Sequence, residues 1–371
     1  MKLKATLKHI IISAAAVCLV QLPVSTVSAE GGAAQLPRGW LLWHSYSDYS
    51  AMDSILYLRS PDGTTETISG DFVHPMNGSF GTSPQQIVFM AIDERADEWD
   101  IYLRDNGSIT NLTENSGFRN EDPKFSPDGR SIVFKRGHWD GAADGFVYDL
   151  ALMNVQTREV TTLTEGYVEE AMPCFSADGS SIYYAGYSGG IGAIYRLDLS
   201  FLTTETIFAE EGVTAYYPVV SGDELYFTKW FSAEDHSDQM MWYDGSSIQP
   251  MGFNSADYDC SDPCPVGEGM VFSSTMNGGY DLYYSDGESV TRLSELSSDK
   301  SDLGAAFFPC ETAGDVNGDG SFNTADVVTF QKWLLAVPDT ELKSSSAADL
   351  CKDGTLDVFD LCAMRLALTG G

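Results

Sequence analysis

The sequence is poor in positive charge. Its 371 residues carry 21 lysines and arginines against 54 aspartates and glutamates. Nucleic acids and anionic membranes are bound through basic patches, so neither is expected as a partner. Long apolar runs are also missing. Ile10 to Leu22 is too short to cross a bilayer, and no later stretch is long enough. That run follows a basic start, Lys2, Lys4 and Lys8, and leads to the small residues Val27-Ser28-Ala29. The pattern reads as a secretory signal peptide over residues 1–29, and the mature protein is expected to be secreted and extracellular. Loss of the three lysines takes the formal charge from −33 to −36. No paired Cys-x-x-Cys arrangement marks a structural zinc site. His-Glu-x-x-His is absent as well. Six cysteines follow the leader, Cys174, Cys260, Cys264, Cys310, Cys351 and Cys362. An exported chain can oxidise them, but spacing does not choose among the pairings.

What is present is a repeat. Pro75, Pro123, Pro173, Pro218, Pro263 and Pro309 recur at intervals of 45 to 50 residues. After most of them comes a turn and then a short apolar strand. Phe125-Ser126-Pro127-Asp128-Gly129 leads into Ser131-Ile132-Val133-Phe134, and Phe175-Ser176-Ala177-Asp178-Gly179 into Ser181-Ile182-Tyr183-Tyr184. The Asp-Gly pairs suit the positive φ of tight hairpins. Second and third strands follow, such as Asp100 to Leu103 with Ile109 to Leu112, rich in β-branched and aromatic residues. About four strands per unit of this length describe a propeller blade. The N-terminal segment has only the last three strands of a unit, and the stretch around Phe307-Phe308-Pro309-Cys310 only the first. Joined, they make one composite blade, which removes the exposed sheet edges.

The expected body is an all-β six-bladed β-propeller over residues 38–311. Its turns at 125–130 and 175–180 resemble those of TolB-like, WD40-related propellers. That resemblance covers about 39 to 310 and speaks for fold, not for activity.

The tail is a different kind of sequence. Asp315, Asn317, Asp319, Asn323 and Asp326 place oxygen side chains at positions 1, 3, 5, 9 and 12 of a loop. Gly320 stands at position 6 and Ser321 at 7. Hard oxygen donors around a sharp turn are the logic of a calcium loop. Val327 to Leu335 then has helical spacing. A second copy begins at Asp349, with Asp353, Asp357 and Asp360 at positions 5, 9 and 12 and the Thr355 carbonyl at 7. Leu361 to Leu368 is its helix. Position 3 of this loop is Cys351, a soft donor poor for calcium. The second site is therefore expected to be weaker, to be completed by water, or to lose Cys351 to a bond with Cys362. Two such loops, each followed by one helix, resemble a dockerin over 314–371, most closely the ruminococcal cellulosome type. The resemblance implies a small all-α module with two EF-hand-like calcium loops and a cohesin module of a scaffoldin as partner. By position, the cohesin-binding candidates are Thr324, Ala325, Gln331 and Lys332, then Val358, Phe359 and Arg365.

Four histidines follow the leader, His44, His74, His138 and His236. The repeat maps all four to loops of one propeller face, and they are the catalytic candidates. Tyr46, Arg95, Arg136, Trp139, Asp140, Lys229 and Trp230 map to the same loops as a ligand face. Aromatic rings stack on sugars, and Arg, Lys and His suit a uronate. The expectation is a propeller that binds plant cell-wall polysaccharide or a protein partner. The alternative is an enzyme, either a lyase with a histidine base or a glycoside hydrolase with paired carboxylates. Oligogalacturonate lyases are also propellers, with a histidine-rich manganese site, but no His-x-His matches that site in this chain.

Overall fold

The structure, a computed structural model, describes residues 36–93, 98–141, 144–165, 169–188, 191–231, 238–310, 312–318 and 322–369. The leader over 1–29 lies outside these residues, as do Arg95, His236, Asp319 and Ser321.

The strands come in groups of four. The first group is β1 (Gly39–Tyr46), β2 (Ile55–Arg59) and β3 (Thr65–Ile68), awaiting a fourth member. Next come β4 (Val73–Phe80), β5 (Gln86–Asp93), β6 (Glu98–Asp105) and β7 (Ser108–Asn111). They are followed by β8 (Arg119–Phe125), β9 (Ser131–Asp140), β10 (Gly145–Asn154) and β11 (Val160–Thr162). Then come β12 (Glu169–Phe175), β13 (Ser181–Ser188), β14 (Ile191–Asp198) and β15 (Thr203–Phe208). The fifth set is β16 (Thr214–Ser221), β17 (Glu224–Trp230), β18 (Gln239–Tyr243) and β19 (Ile248–Pro250). The last is β20 (Cys260–Val266), β21 (Gly269–Ser274), β22 (Asp281–Ser285) and β23 (Val290–Arg292), after which β24 (Ser301–Pro309) stands alone. β24 pairs antiparallel with β1 and completes the first group. Within each group neighbours are antiparallel. A single parallel bridge, Gly192 to Thr214, joins the β12 and β16 groups into one eight-stranded sheet.

The innermost strands touch in a closed circuit, β4 to β8, β12, β16, β20, β24 and back to β4. Apolar clusters fill the seams between successive groups. Val88, Met90 and Ile101 meet Ile132, Phe134 and Met153 at one seam. Leu41 and Trp43 meet Val271 and Leu282 at the closing seam. Middle strands are covered on both faces, which explains the unbroken apolar run Ile87-Val88-Phe89-Met90, all buried. The outermost strands are short, threonine-rich and mostly exposed, as managed sheet edges are.

Each innermost strand has a register shift with a left-handed residue at it, and β4 has two shifts, the first with His74 (φ 56°). Six of these residues, one per strand, form a ring. The six are Asn77 (φ 52°), Asp122 (54°), Met172 (51°), Tyr217 (53°), Asp262 (55°) and Gly304 (62°). The proline marker is in phase with this ring in four units only. Pro123, Pro173, Pro218 and Pro263 follow the left-handed residue, but Gly78 and Ala305 stand there in the other two. Pro75 follows left-handed His74 inside the first of the two register shifts of β4, and Pro309 lies well after the bulge of β24. A bulge leaves a backbone N–H outside the ladder, so proline is tolerated at this position without being required. At Gly304 a side chain would not fit, because a Cβ would lie 2.4 Å from His44 Cε1.

The tail is helical, with α1 (Thr324–Leu334), α2 (Ser345–Ala348) and α3 (Val358–Thr369). The helices of the two halves start three residues earlier than hydrophobic spacing suggests. Asn323 caps α1 by accepting from Ala325 N, and Asp326 returns the favour to Asn323 N. Val316, Val327, Phe330, Ala348, Leu361 and Met364 form one core between the halves. Lys343 N donates to Val316 O and Gly314 N to Ala347 O, which ties the two halves together.

Candidate functional site

The ring of left-handed residues turns side chains into a central funnel of about 480 Å³. At its narrow end Asn77 Nδ2 donates to Asp122 Oδ1 at 2.7 Å, and Asp122 Oδ2 accepts from Met172 N at 3.3 Å. Across the axis Asp262 Oδ2 accepts from Gly304 N at 2.9 Å. Burial, reinforced by Asp238, pushes the Asp262 carboxyl up to about 6 against the pull of the Gly304 N–H and Lys124. Burial likewise lowers the Lys124 ammonium. On the wall Lys135 Nζ reaches Glu169 at 2.8 Å and Glu121 at 3.3 Å. His44 lines the same funnel. Its own burial, helped by His74 and Lys124, takes it down to about 3, so it is neutral at ordinary pH.

A second cavity of about 450 Å³ lies beside the long β9–β10 hairpin and is lined by Phe118, Arg136, His138, Asp140, Asp149 and Glu165, among others. The Arg136 guanidinium lies 3.6 Å over the Phe118 ring. On the same hairpin Trp139 is 60% exposed and Phe146 43%, their rings edge to face at 5.7 Å. Large rings are normally covered, so this exposed pair is a ready stacking platform.

The described histidines are not brought together as one catalytic group. His44 lines the funnel and His138 the hairpin cavity. His74 is buried among Tyr46, Tyr49 and Trp99, and its Nδ1 accepts from Ser54 N. The ligand-face residues divide in the same way. Tyr46 is in the funnel, while Arg136, Trp139 and Asp140 belong to the hairpin. Lys229 is buried and paired with Glu210 at 2.7 Å, and Trp230 beside it is exposed. Sequence reasoning named Tyr46 and His44 of the funnel but missed Asp122 and Asp262. The signal was available, because both directly precede a repeat proline.

The two tail loops repeat one geometry. Asp326 is fully buried; Oδ1 accepts from Val316 N (3.0 Å) and Asn317 N (3.2 Å), and Oδ2 from Asn323 N (2.8 Å). Asp360, also fully buried, accepts from Cys351 N at 3.0 Å and Asp357 N at 3.1 Å. Desolvation opposes its ionisation, but those two N–H groups hold it below its ordinary value. Asp315 accepts from Gly318 N, and Asp349 from Asp353 N and Gly354 N. The position-9 residues face their helices, Asn323 towards Ala325 N and Asp357 towards Phe359 N. Among the described residues no three acidic, histidine or cysteine side chains gather around one point. The donor set of the first loop is nevertheless all hard oxygen and fits calcium. In the second, position 3 is the exposed thiol Cys351, which does not. All six cysteines of the described residues are free, Cys351 and Cys362 included. Thr324, Ala325, Gln331, Lys332, Val358, Phe359 and Arg365 are all exposed, and Arg365 donates to Gln331 Oε1 at 2.8 Å across the two halves.

Comparison with known proteins divides the chain at the same place. Residues 313–368 match the dockerin type I domain family. The body is TolB-like. A 96-residue stretch is 29% identical to the Tol-Pal system protein TolB of Hydrogenovibrio crunogenus, covering 26% of this chain and 20% of that protein. The chain thus spans about a fifth of the curated relative it matches. The crystal structure of TolB from Acinetobacter baumannii superposes with a TM-score of 0.58 at 18% identity, covering 73% of this chain and 67% of that one. Hydrazine synthase of Kuenenia stuttgartiensis gives 0.59 at 12% identity over 73% of this chain and 46% of that one. At such identities the likeness is one of fold. No helix among the described residues is long and apolar enough to cross a membrane.

Proposed function

We propose that this protein is an exported component of a cellulosome-type assembly. A dockerin over 314–371 binds a cohesin in a calcium-dependent way, and a six-bladed propeller over 38–311 carries a polysaccharide-binding surface. The observation that carries the reading is the dockerin match together with two loops that share one buried-aspartate geometry. Calcium would be held by Asp315, Asn317, Asp319, the Ser321 carbonyl and Asp326, with Asn323 reaching it through water. Asp349, Asp353, the Thr355 carbonyl, Asp357 and Asp360 would form the second, weaker site. The cation supplies charge neutralisation. The chain's own part is to hold the loops so that α1 and α3 present Thr324, Ala325, Gln331, Lys332, Val358, Phe359 and Arg365. Exposure of Val358 at 57% and Phe359 at 68% supports a contact role rather than a core one.

For the propeller, the exposed Trp139–Phe146 pair beside Arg136, His138 and Asp140 supports stacking on a sugar face with polar groups at its rim. A lyase reading rests on Arg136 and His138 sharing that cavity, one to neutralise a uronate and one to remove a proton. Affinity gels with pectin, xylan and mannan test the binding reading. Retention lost in Trp139→Ala is the expected result, and undiminished retention refutes it. Release of unsaturated uronates, abolished in His138→Ala, would establish the enzyme instead. Cohesin binding that survives chelator, or Asp315→Ala with Asp349→Ala, would overturn the calcium-dependent dockerin.

A further inference from the structure

The central funnel is chemically unlike the hairpin cavity, and the polysaccharide reading does not use it. Tyr46, Tyr49, Tyr187, Tyr216, Tyr217 and Tyr280 line this one space. Four carboxylates, Glu121, Asp122, Glu169 and Asp262, share it. The cations within reach are Lys135 on the wall and Lys124 at the narrow end. Lys135 is already shared between Glu121 and Glu169. The floor therefore carries more negative than positive charge, in a place where water screens it poorly. Tyr217 is the independent sign that something is bound there. It is more than nine-tenths buried, it is held in the left-handed region at the axis, and its hydroxyl has no hydrogen-bond partner among the described residues. Asp122 and Asp262 both act on it electrostatically. A buried hydroxyl left unpaired costs free energy, so a position built this way is explained by a ligand that completes it.

We propose that the funnel binds a small organic cation through a primary ammonium group. Asp262 supplies the counter-charge, the Tyr217 hydroxyl accepts one N–H, and the surrounding phenol rings supply cation–π attraction. A neutral sugar would leave the excess charge of the floor uncompensated. An anion would meet four carboxylates. Phenol faces and carboxylates together favour a cation over either.

Titration calorimetry on the full-length protein tests the assignment. Glucosamine and putrescine are the cationic probes, one an amino sugar and one an aliphatic diamine. N-Acetylglucosamine is the uncharged counterpart. At least one amine is expected to bind, with N-acetylglucosamine about ten-fold weaker or silent. Asp262→Asn retains an acceptor for the Gly304 N–H and is expected to lose about ten-fold in affinity, the size of one hydrogen bond to a charged group. Tyr217→Phe keeps the ring and is expected to lose a smaller factor. Trp139→Ala should bind the amine as wild type does, which separates this site from the sugar platform. The proposal falls if neither amine gives heat at millimolar concentration. It also falls if N-acetylglucosamine binds as tightly as glucosamine, or if Asp262→Asn and Tyr217→Phe, both folded by circular dichroism, bind like wild type.

Discussion

Replacing Asp262 with asparagine should make the protein more stable at neutral pH, by an amount that depends on pH. The Asp262 carboxyl is raised from 3.8 to about 6, chiefly by burial. An acid with a raised folded-state value costs stability wherever it is ionised. Below about pH 4 the carboxyl is protonated in both folded and unfolded chains, and no penalty exists. As pH rises towards 6 the unfolded chain releases its proton first, and wild type loses stability across this window. Above it the loss is complete. About two pKa units at about 1.4 kcal/mol each come to about 3 kcal/mol. Asparagine does not titrate, so the variant escapes this loss. Urea unfolding followed by tryptophan fluorescence, at about pH 3.5, 5 and 7, gives the stability of each protein. The variant's advantage should grow by about 3 kcal/mol between the lowest and highest pH. The calcium-loop carboxylates titrate equally in both proteins and cancel from the difference. A difference that stays constant with pH, or grows towards acid, refutes the reasoning. The same carboxylate is retained at a cost in stability, which is the pattern expected of a ligand-binding group.

Phe359→Ala should weaken cohesin binding about ten-fold or more, read by calorimetry with calcium present, because exposed aromatic anchors dominate interfaces. Since Phe359 is 68% exposed, the melting temperature of the variant should barely move. Cys351→Asp gives the second loop a hard donor at position 3 and should tighten the weaker of two calcium steps in a titration, leaving the stronger unchanged. Phe134 is fully buried at the seam between the β4 and β8 groups, so Phe134→Ala should cost about 3–5 kcal/mol in urea unfolding.

Much of the body was legible because alternation and turn chemistry are local. Phe125-Ser126-Pro127-Asp128-Gly129 announces its hairpin, and Ser126 N bonds Ser131 O across that turn. The pairing of β24 with β1 was also legible, because the first unit lacks a strand that the last supplies. Phase was harder. Proline is a permissive occupant of a bulge: Pro75 sits at an earlier shift of β4, after His74, and Pro309 lies beyond the bulge of β24, while Asn77 and Gly304 hold the ring positions. The histidines show a limit of the linear map. The repeat assigns them to one face, but His44 lies near the axis and His138 on a side hairpin, and a linear map records height without radius. In the tail, position counting names the candidate loop ligands. It could not say whether Val358 and Phe359 were covered, since that depends on how two helices meet.

The seam where β24 meets β1 also has a mechanical side. The ladder runs from Gly39 opposite Pro309 to Tyr46 opposite Ser301, and Cys310 N adds a bond to Arg38 O just beyond it. The tail leaves the body at that same end. A pull on the tail therefore enters the ring of sheets at the first rung of its closing zipper. Rungs loaded from one end yield in turn instead of sharing the load. Against slow tugging, what resists opening is the grease behind the seam, Leu41 and Trp43 against Val271 and Leu282, rather than the hydrogen bonds along it.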